Sequence, residues 1–176
     1  MTDKKELILG SRTIQDRVRE LGHEISRDYC GEPLVVIGIL KGAFIFMADL
    51  VRAIDLPLVT DFIQVSSYGS TTTSSGTIKL VKEPSTPLIN TNILIVEDII
   101  DSGLTMQWLI NYFKTKQAGS VKICSLIDKA ERREIDICID YLGFDIPKGF
   151  LVGYGLDYNE QYRHLPEIFH LHKNNE

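Results

Sequence analysis

Apolar and polar positions alternate along the chain with two periods, and the switches between them predict its elements. Ile14, Val18, Leu21, Ile25 and Tyr29 recur at spacings of three and four with charged residues between them. That pattern predicts an amphipathic helix over 12–29, capped by Ser11 and broken by Gly31-Glu32-Pro33. Residues 34–39 are then almost wholly apolar, as expected of a strand buried on both faces. A tight Leu40-Lys41-Gly42 turn leads into a second predicted helix over 43–54. A long strand is predicted over 58–68, where Phe62, Val65 and Tyr68 are favourable, with a partner strand over 78–81. Ile93 to Val96 predicts another doubly buried strand, followed by a helix over 106–114 and a strand over 121–127. Residues 137–146 and 150–152 supply further strands, and His170 and His172 share one face of a final one.

Strands alternating with helices imply an α/β fold, a mainly parallel twisted sheet with helices on both faces. At 176 residues with 44% apolar content, one domain over 1–176 is expected, with a core of ordinary size. Net charge −5 argues against a general nucleic-acid binder. Residues 1–6 are polar and do not resemble a secretory signal, and the apolar region 34–48 is interrupted by Lys41 and too short to span a bilayer. Three cysteines show no metal-like pairing; Cys124 and Cys138 fall in apolar runs and are expected as buried free thiols, which fits a reducing cytoplasm. His170 and His172 lack a nearby third ligand in the sequence, and no histidine is assigned chemistry.

The candidate chemistry gathers at residues 93–105. The strand runs into Glu97 and Asp98, then into the small, hydroxyl-bearing turn Asp101-Ser102-Gly103-Leu104-Thr105, then into a helix. A helix N-terminus offers unpaired backbone N–H groups and a positive dipole end, so a phosphate sits there readily. Gly103 lets the backbone approach closely, and Ser102 or Thr105 adds a hydroxyl or caps the helix. Carboxylates beside a phosphate suit sugar hydroxyls or a Mg2+ ion. Residues 69–77 are all small or hydroxyl-bearing, with no apolar anchor to offset ordering entropy, so a mobile segment over 66–78 is expected. Lys129, just after a strand, is either a surface cation or a donor to a base carbonyl.

From Ile93 to Thr105 the order of apolar run, Glu-Asp, spacer and Ser-Gly-Leu-Thr resembles the phosphoribosyl pyrophosphate (PRPP) signature of the type I phosphoribosyltransferases. Further motifs follow in the family's order. Leu40-Lys41-Gly42 resembles its pyrophosphate loop, and Ser66-Ser67-Tyr68-Gly69 its flexible catalytic loop. Leu126-Ile127-Asp128-Lys129 with Arg132-Arg133, and the run from Phe150 to Arg163, are similar to the 6-oxopurine branch, which acts on hypoxanthine and guanine. The resemblance implies a hood subdomain from the terminal segments over the active site and a lid at 66–78. It also implies purine salvage: transfer of the 5-phosphoribosyl group from PRPP to N9 of hypoxanthine or guanine, with release of pyrophosphate.

It implies roles for particular residues as well. Ser102, Gly103, Leu104 and Thr105 would hold the 5′-phosphate, and Glu97 and Asp98 the ribose hydroxyls. Lys41, Gly42 and Arg163 would contact pyrophosphate. Asp101 would accept the N7 proton and also belong to the PRPP-binding set. Lys129 would meet O6, Phe150 would stack on the base, and Leu151 would offer its carbonyl. Mg2+ would be held by Glu97, Asp98 and Asp157, with Asp157 also at the purine end; Ser67 and Tyr68 would be the lid contacts. A homodimer or homotetramer is implied, with no nucleic-acid or membrane partner. The alternative class is a regulator of the same fold that binds nucleic acid and senses PRPP or a nucleotide.

Overall fold

The doubly apolar stretches form the inner strands of a six-stranded sheet. The computed structural model describes residues 4–68 and 77–172, with only the backbone described at residues 67, 68 and 77. Strand β2 (Leu34–Leu40) pairs in parallel with β3 (Leu58–Tyr68) on one side and β5 (Asn92–Ile100) on the other. β6 (Ser120–Asp128) and β7 (Tyr141–Asp145) extend the parallel sheet beyond β5, and β4 (Thr77–Lys82) closes the opposite edge antiparallel to β3. The order is therefore β4-β3-β2-β5-β6-β7.

Alternation along the inner strands divides the core in two. Leu34, Val36, Leu94, Val96, Cys124 and Leu126 pack beneath α1 (Ser11–Asp28) and α2 (Phe44–Ala53). Val35, Ile37, Ile93, Ile95 and Ile123 meet Met106, Leu109 and Phe113 of α3 (Leu104–Thr115) on the other face. Ile93, Leu94, Ile95 and Val96 are each 0% exposed, which is why that run carries no polar residue. Burying one such branched side chain stabilises by about 1.5–3 kcal/mol.

The segments near the two ends of the chain meet in a separate antiparallel sheet, β1 (Lys4–Leu9), β9 (Ile168–His172) and β8 (Leu151–Val152), in the order β1-β9-β8. Strand β1 is not visible in the local pattern: its residues are mostly exposed, and its partners Ile168 to His172 lie at the far end of the sequence. Among the described residues no helix is long and apolar enough to cross a membrane.

The structure corrects several expected boundaries. Ser11 is the first residue of α1 rather than its cap; Gly10 holds the cap position with no side-chain hydrogen bond. Strand β5 runs on to Ile100, so Glu97 and Asp98 lie inside it and not beyond its end. Of the strand expected over 137–146 only Tyr141–Asp145 forms, because β6 pairs with β7 only from Cys124 onward. Cys124 is buried as expected, and desolvation pushes its thiol well above its usual range, whereas Cys138 is exposed. Most of the expected lid, residues 69–76, lies outside the described residues, as do the side chains of Ser67 and Tyr68.

Candidate active site

Strand β5, a three-residue turn and α3 make the floor of the site. Gly103 caps α3 in the left-handed region, φ 85°, where a Cβ would also sit 2.3 Å from the Ile135 carbonyl oxygen. Ser102 Oγ accepts from the Leu104 N–H at 3.4 Å, and beside this helix start lies a cavity of about 130 Å3. Glu97, Asp101, Ser102, Gly103 and Thr105 line it. A larger hollow of about 380 Å3 opens beside Glu83, Tyr112 and Lys116, but no buried carboxylate or helix N-terminus converges there, so size does not identify the site.

Glu97 and Asp98 are 9% and 7% exposed, far more buried than two adjacent acids usually are. Glu97 lines the cavity under α3, while Asp98 lies against the Lys41-Gly42 turn: a Cβ on Gly42 would fall 2.1 Å from Asp98 Oδ2. Only glycine at 42 lets turn and carboxylate meet. Desolvation raises the pKa of both acids, and the Asp98 charge raises Glu97 further; Arg163 offsets part of the rise at Asp98. A buried acid pair of this kind suits hydroxyl donors or a cation. Its hard oxygen donors fit Mg2+, which binds through one or two carboxylates plus phosphate oxygens and water. Asp157 is held elsewhere: its Oδ1 is 2.7 Å from Arg163 Nη2, and its Oδ2 accepts from the Glu160 N–H at 2.8 Å. Among the described residues it does not converge with Glu97 and Asp98 as a three-ligand group.

Asp101 sits at the rim of the cavity. Its Oδ2 accepts from Arg132 Nε at 2.9 Å, from Arg132 Nη2, and from Lys129 Nζ at 3.4 Å. Its Oδ1 is buried and has no hydrogen-bond partner. A buried carboxylate oxygen with no donor is costly unless a ligand supplies one. Lys129 is 6% exposed, not a surface lysine, and its Nζ lies 3.4 Å from both Asp101 Oδ2 and Glu131 Oε2. An ammonium has three N–H groups, so two such partners leave a donor for a ligand carbonyl. Arg132 and Glu131 were assigned no role in the sequence. The paired arginines after Lys129 were a signal, but only the turn Ala130–Arg132 brings Arg132 onto Asp101.

Across the site, Lys41 Nζ is 3.0 Å from Glu160 Oε2, and Arg163 Nη1 donates to the Gly155 carbonyl at 2.7 Å. Arg163 Nε is buried without a hydrogen-bond partner, a second orphaned group. Phe150 is 39% exposed, unlike a core aromatic, and meets Tyr158 edge to face at 5.4 Å. The Leu171 N–H donates to the Phe150 carbonyl at 2.8 Å, and Leu151 stands opposite His170. In an antiparallel pair the next residue points its polar groups the other way, so the backbone N–H and C=O of Leu151 face away from β9 at the open edge.

The structure thus gathers Glu97, Asp101, Ser102, Gly103 and Thr105 around one cavity, brings Lys129 onto Asp101 at its rim, sets Gly42 of the Lys41-Gly42 turn against Asp98, and pairs Asp157 with Arg163. Three comparisons with known proteins bear on it. The family model described as "Phosphoribosyl transferase domain" matches residues 7–159. A protein of Bacillus subtilis (strain 168) named hypoxanthine-guanine phosphoribosyltransferase is 48% identical over 166 residues, 94% of this chain and 92% of that protein. Its namesake in Aquifex aeolicus (strain VF5) is 48% identical over 167 residues, 94% of each. Among solved structures, a hypoxanthine phosphoribosyltransferase from Staphylococcus aureus superposes with a TM-score of 0.91 at 43% identity, covering 94% of this chain and 90% of that one.

Proposed function

Because the chain belongs to the phosphoribosyltransferase family, we propose from its site that it is a purine-salvage transferase. It moves the 5-phosphoribosyl group of PRPP to N9 of hypoxanthine or guanine, giving IMP or GMP and pyrophosphate. The relatives that support this reading carry transferase names, and none of them supports the nucleic-acid-binding regulator. The observation that carries it is the orphaned Oδ1 of Asp101, a buried acceptor beside both the cavity under α3 and the Lys129 ammonium.

In this reading the N–H groups at the start of α3, with Ser102, Gly103, Leu104 and Thr105, hold the 5′-phosphate. Glu97 and Asp98 accept from the ribose hydroxyls, near where positive charge develops as the C1–pyrophosphate bond breaks. Lys41, the Gly42 backbone and the unpartnered Nε of Arg163 bind the pyrophosphate. Lys129 donates to O6, Phe150 stacks on the ring, and the outward-facing carbonyl of Leu151 accepts from the base. Asp101 takes the N7 proton as N9 attacks, a role typically worth about 10²–10⁴-fold. Glu97, Asp98 and Asp157 would hold Mg2+, which would supply charge neutralisation at the departing pyrophosphate.

The chain acts as a single domain, with the small β1-β9-β8 sheet as a hood and residues 66–78 as a lid whose Ser67 and Tyr68 close over the ligand. It works in the cytoplasm as a homodimer or homotetramer, to which the exposed Phe44, Val59 and Val81 offer apolar surface. The test is a spectrophotometric assay with PRPP and Mg2+ against hypoxanthine, guanine, xanthine, adenine and uracil. Turnover of the first two, abolished by EDTA, is expected. PRPP binding without turnover of any base would overturn the reading.

A further inference from the structure

The sequence puts His170 and His172 on one face of a strand, and strand pairing supplies the third ligand that the sequence lacked. Glu6 of β1 stands directly opposite His170 of β9. Glu6, His170 and His172 each direct one ligand atom into a group whose members all lie within 4.8 Å of one another. His172 Nε2 is 2.9 Å from Glu6 Oε2, and the two imidazole rings lie 4.3 Å apart at 47°. Gly149 leaves the space His170 occupies: a Cβ there would sit 3.1 Å from His170 Nε2. An ion pair between Glu6 and a protonated His172 accounts for one contact. It leaves the second imidazole unexplained, and two protonated rings so close would repel.

We propose that Glu6, His170 and His172 form a binding site for a divalent transition-metal ion of the zinc class, joining β1 to β9. Alternate residues of a strand project to one side, so a His-x-His segment presents both imidazoles together, and a cross-strand carboxylate completes the set. Two imidazoles and one carboxylate suit Zn2+, whose ligand bonds of about 2.0–2.2 Å need only small rotations of these side chains. Mg2+ is disfavoured here because it prefers oxygen donors and retained water. Side-chain exposures of 43% for His172 and 60% for Glu6 give the ion a route in and leave room for a water ligand. The bound ion clamps the sheet that carries Phe150, since Phe150 follows Gly149 and its carbonyl accepts from Leu171 between the two histidines. The proposal is independent of the transferase reading.

The test is calorimetric titration of ZnCl2 into the full-length protein in excess Mg2+, so that uptake at oxygen-only carboxylate sites is competed. Co2+ serves as a spectroscopic stand-in through its visible absorption bands. Binding of about one Zn2+ per chain is expected, weakened roughly 10–100-fold or more in each of Glu6→Gln, His170→Ala and His172→Ala. Glu6 is exposed and both histidines are only partly buried, and circular dichroism of each variant checks that it folds. Zn2+ is also expected to raise the Tm of the parent protein and not that of His172→Ala. No Zn2+ uptake by the parent, or uptake unchanged in all three variants, would overturn the site.

Discussion

Asp101→Asn separates the catalytic role proposed for this carboxylate from its structural one. The side chain is 23% exposed, with Oδ2 engaged by Arg132 and Lys129 and Oδ1 buried without a donor. In the variant the amide oxygen can keep the two cationic partners only if the NH2 group takes the place of Oδ1. There it is a buried donor with no acceptor, a cost of about 1–3 kcal/mol. At roughly 2–4 °C per kcal/mol for a chain of this size, the Tm is expected to fall by roughly 2–12 °C. Lys129 keeps Glu131 as a counter-charge, so the loss stays at the low end of the range for breaking a buried pair. The catalytic loss is separate: without a proton acceptor for N7, kcat is expected to fall about 10²–10⁴-fold, or roughly 3–5 kcal/mol in the barrier. In the proposed arrangement PRPP is held mainly by other groups, so its affinity should change far less than kcat. Steady-state kinetics at fixed saturating PRPP, with a separate PRPP titration, measures both. A kcat within about threefold of the parent would remove Asp101 as the base. A lowered PRPP affinity at normal kcat would move it to substrate binding.

Three further outcomes are expected. Lys129→Ala should raise the KM for guanine while leaving PRPP affinity nearly intact, and unchanged base KM values would show that O6 is recognised elsewhere. Glu97→Gln should raise the Tm of the unliganded protein at neutral pH while weakening PRPP binding, because burial disfavours the ionised Glu97. Since the folded pKa lies above the ordinary value, that advantage should shrink as pH falls through it and the parent acid protonates; a variant less stable than the parent at neutral pH would refute the reasoning. Asp61→Asn should destabilise the fold by about 1.5–3 kcal/mol, because Asp61 accepts from the backbone N–H groups of Phe62, Ser85 and Thr86 and from the hydroxyls of Ser85 and Thr86. Burial opposes ionisation there, but those bonds outweigh it and hold the pKa below 3.8, so the contribution is full above that pH and is lost below it; thermal melts from pH 2 to 7 check the trend.

Much of the site was legible in the sequence where its chemistry is local. The cradle from Glu97 to Thr105 is one strand end, one turn and one helix start, and each part depends on neighbours a few residues away. Lys41 and Gly42 were legible in the same way, as a turn between a strand and a helix. Lys129 was not: the sequence left it between a surface cation and a base donor. Its burial comes from β6 packing beside β5 and from the turn at Ala130–Arg132 folding back over Asp101.

The sequence by itself determined the strand and helix periods, the doubly buried strands and the small, hydroxyl-bearing turn between strand and helix, because side-chain direction repeats every two or every 3.6 residues and needs no distant partner. Tertiary structure alone decided which charges meet. Asp157 with Arg163, Arg132 with Asp101, and Glu6 with His170 and His172 depend on how loops close and strands pair. It also decided the state of the acids: desolvation of Glu97 and Asp98 is a property of the packed molecule, absent from the extended chain.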